Sequence, residues 1–154
     1  MLLLAFLLGV VAGLRSLTAP AVVAWGARLG WLNLQGTPFS FMGSLAAVII
    51  FTLLAAGELV ADQLPNTPAR TAPPGLIARI VTGGLSGACV AAAAGQSIVA
   101  GACAGAAGGV AGAFSGYQAR TRLVKALGVK DVVIALLEDA VAIGAGLLLV
   151  SRLQ

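Results

Sequence analysis

Four of the five acidic residues of this chain lie within or beside stretches that otherwise have the composition of membrane-spanning helices. Glu58, Glu138 and Asp139 lie inside such stretches, and Asp62 lies at the edge of one. A carboxylate in the middle of a bilayer costs about 2.5–3.5 kcal/mol on insertion scales, so a sequence that keeps several must provide partners or water for them. These side chains are therefore the strongest indication of a functional polar site.

The spacing of the carboxylates predicts which way they face. Glu58 and Asp62 are four residues apart, so on a helix both lie on one face, one turn from each other. Glu138 and Asp139 are adjacent, about 100° apart around a helix axis, so a narrow interior favours only one of them. Such groups suit a permeation or proton-coupling site, because burial in a low-dielectric environment favours the protonated form of a carboxyl group.

Arg15 is the basic residue best placed to neutralise these carboxylates within the bilayer, with Glu58 or Glu138 as its expected partner. Arg79 and Arg120, near predicted helix ends, are further candidates. A buried ion pair offsets its desolvation only with good geometry, so it is better evidence for a functional polar site than for stability. The alternative is that such pairs only hold the helix bundle together.

The composition indicates an integral membrane protein. Hydrophobic residues make up 60% of the 154 residues, charged residues make up 9%, and the mean hydropathy is +1.05. A soluble domain carries roughly a quarter charged residues. The length allows a single domain, residues 1–154, with about four to six spans of about 20 residues each.

The residue types argue against catalysis. The chain contains no histidine, which is the commonest general base and metal ligand. Cys89 and Cys103 lie in apolar runs without a CxxC spacing, so neither a zinc site nor a disulfide is expected. The sequence has no nucleophile elbow and no phosphate-binding glycine loop. We therefore expect no enzyme activity, no cofactor and no metal.

The apolar segments predict an all-α transmembrane bundle of about five spans. We expect these spans at residues 2–27, 41–64, 76–94, 98–117 and 132–150. Because proline removes a backbone donor and disfavours helix in the residue before it, we expect the first span to be broken near Thr18 to Pro20. Broken helices are tolerated where the freed backbone groups face protein or water, so Arg15 beside the break is expected to point inward.

The net charge of +4 comes from basic residues scattered at the ends of apolar runs, which indicates membrane topology and not nucleic-acid binding. Most of them lie in the loops before the third span and after the fourth, the latter between Arg120 and Lys130. The positive-inside rule places these loops in the cytoplasm. We thus expect a cytoplasmic N-terminus and a C-terminus on the outer side, with Arg28 and Arg152 as exceptions.

Glycines recur at four-residue spacing in the third and fourth predicted spans. Small residues spaced in this way form a groove in which helix backbones approach closely. We expect these ridges to pack within the chain and consider a second use as the face of a homo-oligomer, with a dimer favoured. The ridge glycines are Gly83, Gly87, Gly101, Gly105, Gly109, Gly108, Gly112 and Gly116.

Two short similarities relate the halves of the chain: residues 11–16 resemble 110–115, and residues 54–58 resemble 134–138. If spans one and two correspond to spans four and five, the odd third span makes the second copy enter the membrane from the opposite side. That arrangement is an inverted-topology repeat, a recurring transporter architecture with its site between broken helices near the midplane.

The stretches GLRSLTAPA at 13–21 and ELVADQLPNTPART at 58–71 resemble the domain-of-unknown-function 4126 family of small bacterial integral membrane proteins. The similarity extends over nearly the whole chain, although Gln63 stands where a lysine is expected. The resemblance implies a protein of the bacterial inner membrane with no established activity. It also favours Arg15, Glu58, Asp62 and Pro65 as key positions.

Our leading hypothesis is a small transporter or channel for an ion or small solute, with proton coupling as one form of it. One alternative is a lipid-binding or lipid-translocating protein in which an arginine receives an anionic head group. Another is a membrane scaffold whose glycine ridges bind a further helix. The polar site is expected to comprise Arg15, Ser16, Thr18, Pro20, Glu58, Asp62, Asn66, Glu138 and Asp139.

Overall fold

The computed structural model describes residues 1–62, 71–128 and 130–153. This part of the chain is all-α, and a short 3-10 helix at Ser40–Gly43 precedes the third of its six helices. The helices are α1 (Leu2–Leu14), α2 (Thr18–Arg28), α3 (Leu45–Ala61), α4 (Pro73–Ala93), α5 (Ile98–Leu127) and α6 (Asp131–Ser151). Helices α4, α5 and α6 are long and apolar enough to cross a membrane, which suggests a multi-pass membrane protein.

Local sequence signals explain most helix ends. Ser44 and Ser97 cap α3 and α5, because their hydroxyl oxygens accept hydrogen bonds from amides of the first turn. Pro73 begins α4, where its missing N–H is not needed. Helix α5 continues through the basic residues that the sequence assigned to a loop, since arginine and lysine are good helix formers. It ends only at Gly128, whose φ is +62°.

The segment predicted as one broken span is instead a helical hairpin. Val11 of α1 and Val22 of α2 both lie close to Gly146 of α6, at 3.6 and 3.0 Å from the position of a Cβ there. A continuous helix would separate the two valines by about 16 Å, so the chain reverses between them. The reversal occupies residues 15–17. Pro20 lies in the first turn of α2, where a missing N–H is tolerated, so the break precedes its predicted position.

The hairpin changes where the chain ends lie. Helices α1 and α6 are antiparallel, because Val11 lies beside Gly146 and Arg15 lies beside Asp139. The beginning of α1 and the end of α6 are therefore at one end of the bundle, which we call the termini end. The other end, here called the distal end, holds Asp62 and the connection between α5 and α6. The expectation that the two termini lie on opposite sides does not fit this arrangement.

Helices α1, α4 and α5 pack at very short range through their glycines. A Cβ at Gly105 would lie 2.1 Å from the carbonyl oxygen of Gly83, and a Cβ at Gly9 would lie 2.0 Å from that of Gly105. Both ridges of α5 are thus occupied by helices of the same chain. Gly101, Gly105 and Gly109 face α4, where they lie against Gly87, Gly83 and the backbone of Arg79, respectively. Gly108 and Gly112 face α1, and Gly116 is buried.

The directions of α1 and α5 bear on the predicted inverted repeat. Gly9 packs on Gly105 and Gly13 packs on Gly109, so the two helices run parallel. An inverted repeat that relates the first span to the fourth requires the corresponding helices to run in opposite directions. This pair of helices therefore does not support the repeat.

Candidate functional site

The reversal between α1 and α2 places Arg15 at the centre of a buried ionic cluster. Arg15 is extended, with φ −139° and ψ 108°, and its side chain is fully buried. Its Nη1 forms an ion pair with Asp62 at the end of α3, and its Nε forms one with Asp139 of α6. These two carboxylates are only 17% and 9% exposed. One guanidinium group therefore joins the hairpin to two other helices.

These partners differ from those expected from the sequence, which were Glu58 and Glu138. Glu138 is about 100° around α6 from Asp139 and points toward α5. Its Oε2 lies 4.0 Å from Nη1 of Arg120. Arg120 also donates from Nε to Oδ1 of Asp131 at 2.8 Å and forms a second contact through Nη2. Glu138 therefore lies near Arg120, in a set of charged contacts that links α5 and α6 at the distal end.

Glu58 holds the beginning of α2. Its Oε1 accepts hydrogen bonds from the backbone N–H and the hydroxyl of Ser16, at 2.8 and 2.7 Å, and its Oε2 accepts one from the N–H of Leu17 at 2.8 Å. No side chain within α2 caps this helix. A carboxylate at a helix N-terminus satisfies free N–H groups and interacts favourably with the helix dipole. Glu58 thus acts as a cap supplied by α3.

Arg79 holds the end of α1 in a corresponding way. It is buried in α4 and donates from Nε to the carbonyl oxygen of Gly13 at 3.0 Å. The last four carbonyl groups of a helix receive no hydrogen bond from an N–H of the same helix, so the carbonyl of Gly13 needs a donor from elsewhere. Arg79 also donates to the carbonyl of Gly75 at 2.9 Å, and its Nη2 lies 3.9 Å from Glu58. Both sides of the reversal are therefore capped by charged side chains.

The remaining predicted site residues have different positions. Ser16 belongs to the cluster through its bonds to Glu58. Thr18 and Pro20 are buried in the first turn of α2, and Thr18 lines an apolar cavity on the other side of that helix. Asn66 lies outside the described residues.

Among the described residues, the cluster around the reversal carries an excess of negative charge. Three carboxylates, of Glu58, Asp62 and Asp139, face two guanidinium groups, of Arg15 and Arg79, which gives a formal charge of −3 + 2 = −1. In the described part of the chain, the acidic and cysteine side chains form no group of three that could hold a metal ion.

The contribution of Arg79 and of the backbone at the reversal was not predicted. Sequence reasoning named Arg79 only as a further counter-ion and did not name Gly13 or Leu17 at all. The available signal was a charged residue well inside an otherwise apolar helix, which requires a buried partner. The hydrogen-bond partners of Arg79 include the backbone carbonyls of Gly13 and Gly75, which no residue type marks in the sequence.

Comparison with known proteins identifies a family and nothing closer. The sequence model of a family described as a domain of unknown function (DUF4126) matches residues 2–151. No curated protein and no solved structure matches the chain.

Proposed function

The chain belongs to the DUF4126 family, and we propose that it is a small transporter or channel that moves a proton or a small cation across a membrane through the site at Arg15. One observation carries this proposal. Arg15 lies at a point where the chain reverses inside the bundle, and it pairs there with carboxylates from two different helices.

The depth of the reversal supports a site within the bilayer. Helix α1 has 13 residues and α2 has 11, so each extends less than about 20 Å. The hydrocarbon core of a bilayer is about 30 Å thick. A hairpin that starts at one surface therefore turns inside the membrane. Backbone without helical structure is tolerated at that depth only where it is buried in protein or lines a water-filled cavity.

The charge of the cluster favours a cation. An anion would have to approach three carboxylates to reach the two guanidinium groups, whereas a proton or monovalent cation neutralises the formal charge of −1. Arg15 Nη2 is also buried without a hydrogen-bond partner among the described residues. An unpaired buried donor costs about 1–3 kcal/mol, a cost that a water molecule or a bound group at this atom would offset. These features favour a working polar site.

The same contacts suggest how occupancy is coupled to movement. A proton or cation on Asp139 weakens its attraction to Arg15 and leaves Asp62 as the stronger partner. Occupancy of Asp62 has the opposite effect. Because the two carboxylates belong to α6 and α3, exchange of partners by Arg15 moves the tip of the hairpin relative to one of these helices. We propose that the bound proton or cation passes from one of these carboxylates to the other while Arg15 shifts its pairing, and that this transfer carries charge through the site.

The orientation of the bundle follows from its exposed basic residues. Arg122, Lys125 and Lys130 lie at the distal end, so we place that end in the cytoplasm by the positive-inside rule. The proposed position of the C-terminus on the outer side is unchanged. The N-terminus moves to the outer side as well, because it lies at the termini end.

The test is ion flux into liposomes that contain the purified protein. A potassium gradient with valinomycin drives proton uptake, which an internal pH dye reports, and replacement of the external cation tests sodium and potassium. We expect Asp139→Asn to lower the flux by about tenfold or more, which corresponds to a barrier increase of about 1.4 kcal/mol. Asp131→Asn is the matched control, since Asp131 is 60% exposed and lies outside the Arg15 cluster.

Two results would contradict the proposal. One is the absence of proton, sodium and potassium flux in liposomes where circular dichroism shows helical protein. The other is equal flux in the Asp139→Asn and Asp131→Asn variants, which would remove the Arg15 cluster from the conduction path.

A further inference from the structure

An apolar groove lies on the outer side of the hairpin, between α2, α3 and α6. Its volume is about 380 Å³. The two helices that form its walls, α3 and α6, also carry the carboxylates that pair with Arg15. The residues that line it are Thr18, Ala21, Val22, Trp25, Thr52, Ala55, Ala56, Leu59, Ile143 and Leu147.

The lining of the groove is almost entirely hydrocarbon. None of the ten lining side chains is charged. The indole N–H of Trp25 donates to the hydroxyl of Thr52 at 3.1 Å, so these two groups satisfy each other. The groove also follows α2 from Thr18 to Trp25, parallel to the helices. In a bilayer it therefore runs in the same direction as the lipid chains.

The groove suits an extended occupant. Its lining follows α2 from Thr18 to Trp25, about 10 Å of helix rise. An extended hydrocarbon chain that lies parallel to the helices contacts this lining over its whole length.

Charge at the mouth of the groove favours an anionic head group. Arg28 follows Trp25 by three residues, so both lie on one face of α2, and Arg28 is exposed. Arg152 lies at the same end of the bundle, because Val150 packs on Gly26. All five acidic residues are in the distal half. The termini end thus presents positive charge beside an aromatic side chain, which is typical of the head-group level of a membrane.

We propose that this groove is a binding site for one anionic phospholipid, with an acyl chain between α3 and α6 and its phosphate on Arg28 and Arg152. The site is separate from the buried arginines, which are paired with carboxylates and cannot receive a head group. A chain in the groove fills the space between the helices that hold Asp62 and Asp139. The proposal does not depend on ion transport.

Tryptophan fluorescence tests the site directly, because Trp25 lines the groove and Trp31 is the only other tryptophan. The full chain with Trp31→Phe is placed in phosphatidylcholine vesicles that contain a small fraction of brominated lipid, a short-range quencher. We expect the quenching efficiency of brominated phosphatidylglycerol at Trp25 to be at least about three times that of brominated phosphatidylcholine at the same fraction.

Three further variants in this background separate the groove from general lipid contact. Ala56→Phe fills the groove and Arg28→Gln removes the charge at its mouth, so each is expected to bring the ratio of the two quenching efficiencies close to one. Leu54→Phe lies on the opposite face of α3 and is expected to leave the ratio unchanged. Arg28 is exposed, so its replacement tests the site even if Ala56→Phe does not fold.

Three outcomes would overturn the proposal. Equal quenching by both lipids before any groove substitution excludes selection of an anionic lipid. An unchanged ratio in both Ala56→Phe and Arg28→Gln places the selective lipid elsewhere. Protection of Trp25 from both quenchers, with cross-linked dimers, shows that a second copy of the chain covers the groove.

Discussion

Replacement of Glu58 by glutamine tests whether this carboxylate holds the reversal of the chain. The side chain accepts three hydrogen bonds, two from Ser16 and one from Leu17, at 2.7–2.8 Å. Glutamine has nearly the same shape but only one acceptor oxygen. If that oxygen keeps both bonds from Ser16, the amide nitrogen faces the N–H of Leu17, and two donors then oppose each other.

The expected loss of stability follows from these bonds. A hydrogen bond to a charged group contributes about 1.5–3 kcal/mol, so the loss at Leu17 costs about 2 kcal/mol. Bonds to an ionised acceptor are roughly twice as strong as neutral ones, so each of the two bonds at Ser16 weakens by about 1 kcal/mol. We therefore expect Glu58→Gln to lower the free energy of unfolding by about 4 kcal/mol.

Asp131→Asn is the control for this measurement. Asp131 accepts hydrogen bonds from Arg120 but is 60% exposed. Exposed ion pairs contribute at most about 1 kcal/mol, so its replacement is expected to cost no more than that. Unfolding by sodium dodecyl sulfate in mixed micelles gives both free energies. Hydrogen exchange of a peptide that contains Ser16 and Leu17 reports whether the loss is local.

The capping role of Glu58 is refuted if the free energy of unfolding of Glu58→Gln lies within about 1 kcal/mol of that of the original protein. It is also refuted if the variant is less stable but the amides of Ser16 and Leu17 exchange at the original rate. The first result would mean that Glu58 is not a cap, and the second would mean that its contribution is made elsewhere in the bundle.

Three further substitutions have distinct expected outcomes. Gly105→Ala places a Cβ 2.1 Å from the carbonyl oxygen of Gly83, so we expect a loss of about 3 kcal/mol in the same unfolding measurement. Gly144→Ala in α6 meets no atom within 4 Å and is expected to stabilise the protein by about 0.5–1 kcal/mol. Equal effects of the two substitutions would contradict the proposed packing. Arg15→Lys keeps the charge but replaces the planar guanidinium group by a single ammonium group. We therefore expect lower ion flux than in the original protein, at similar helix content. Unchanged flux would show that pairing of one guanidinium group with two carboxylates is not required.

The helical segments were largely predictable because their signals are local. Apolar composition identifies the helices, and Ser97 and Pro73 mark where two of them begin. The four-residue spacing of glycines likewise predicted close packing within the chain, and α5 makes such contacts with α4 and α1. The extension of α5 to Leu127 was missed, because its charged residues suggested a loop although no residue before Gly128 stops a helix.

The reversal after α1 was not predictable from the same signals. Pro20 indicated a break, but a kinked span and a hairpin share that feature. A hairpin differs from a kinked span in the groups that satisfy the free backbone on both sides of the reversal. These groups belong to Glu58, which binds the N–H of Leu17 from 41 residues away, and to Arg79, which binds the carbonyl of Gly13 from 66 residues away. The pairing of Arg15 with Asp62 and Asp139 depends on the same reversal. The residues of the site could therefore be named from the sequence, but which of them pair with each other could not.

The ionic cluster contains two kinds of contact, and this division explains why so many charges are needed. A turn inside a bilayer leaves carbonyl groups at the end of one helix and N–H groups at the start of the next, and lipid cannot satisfy either. Arg79 and Glu58 satisfy them, so their replacement is expected to change the fold. Arg15, Asp62 and Asp139 pair with one another, so replacement of either aspartate leaves both caps in place. A substitution at Asp139 should therefore reduce flux while the protein remains folded, whereas a substitution at Glu58 should reduce both.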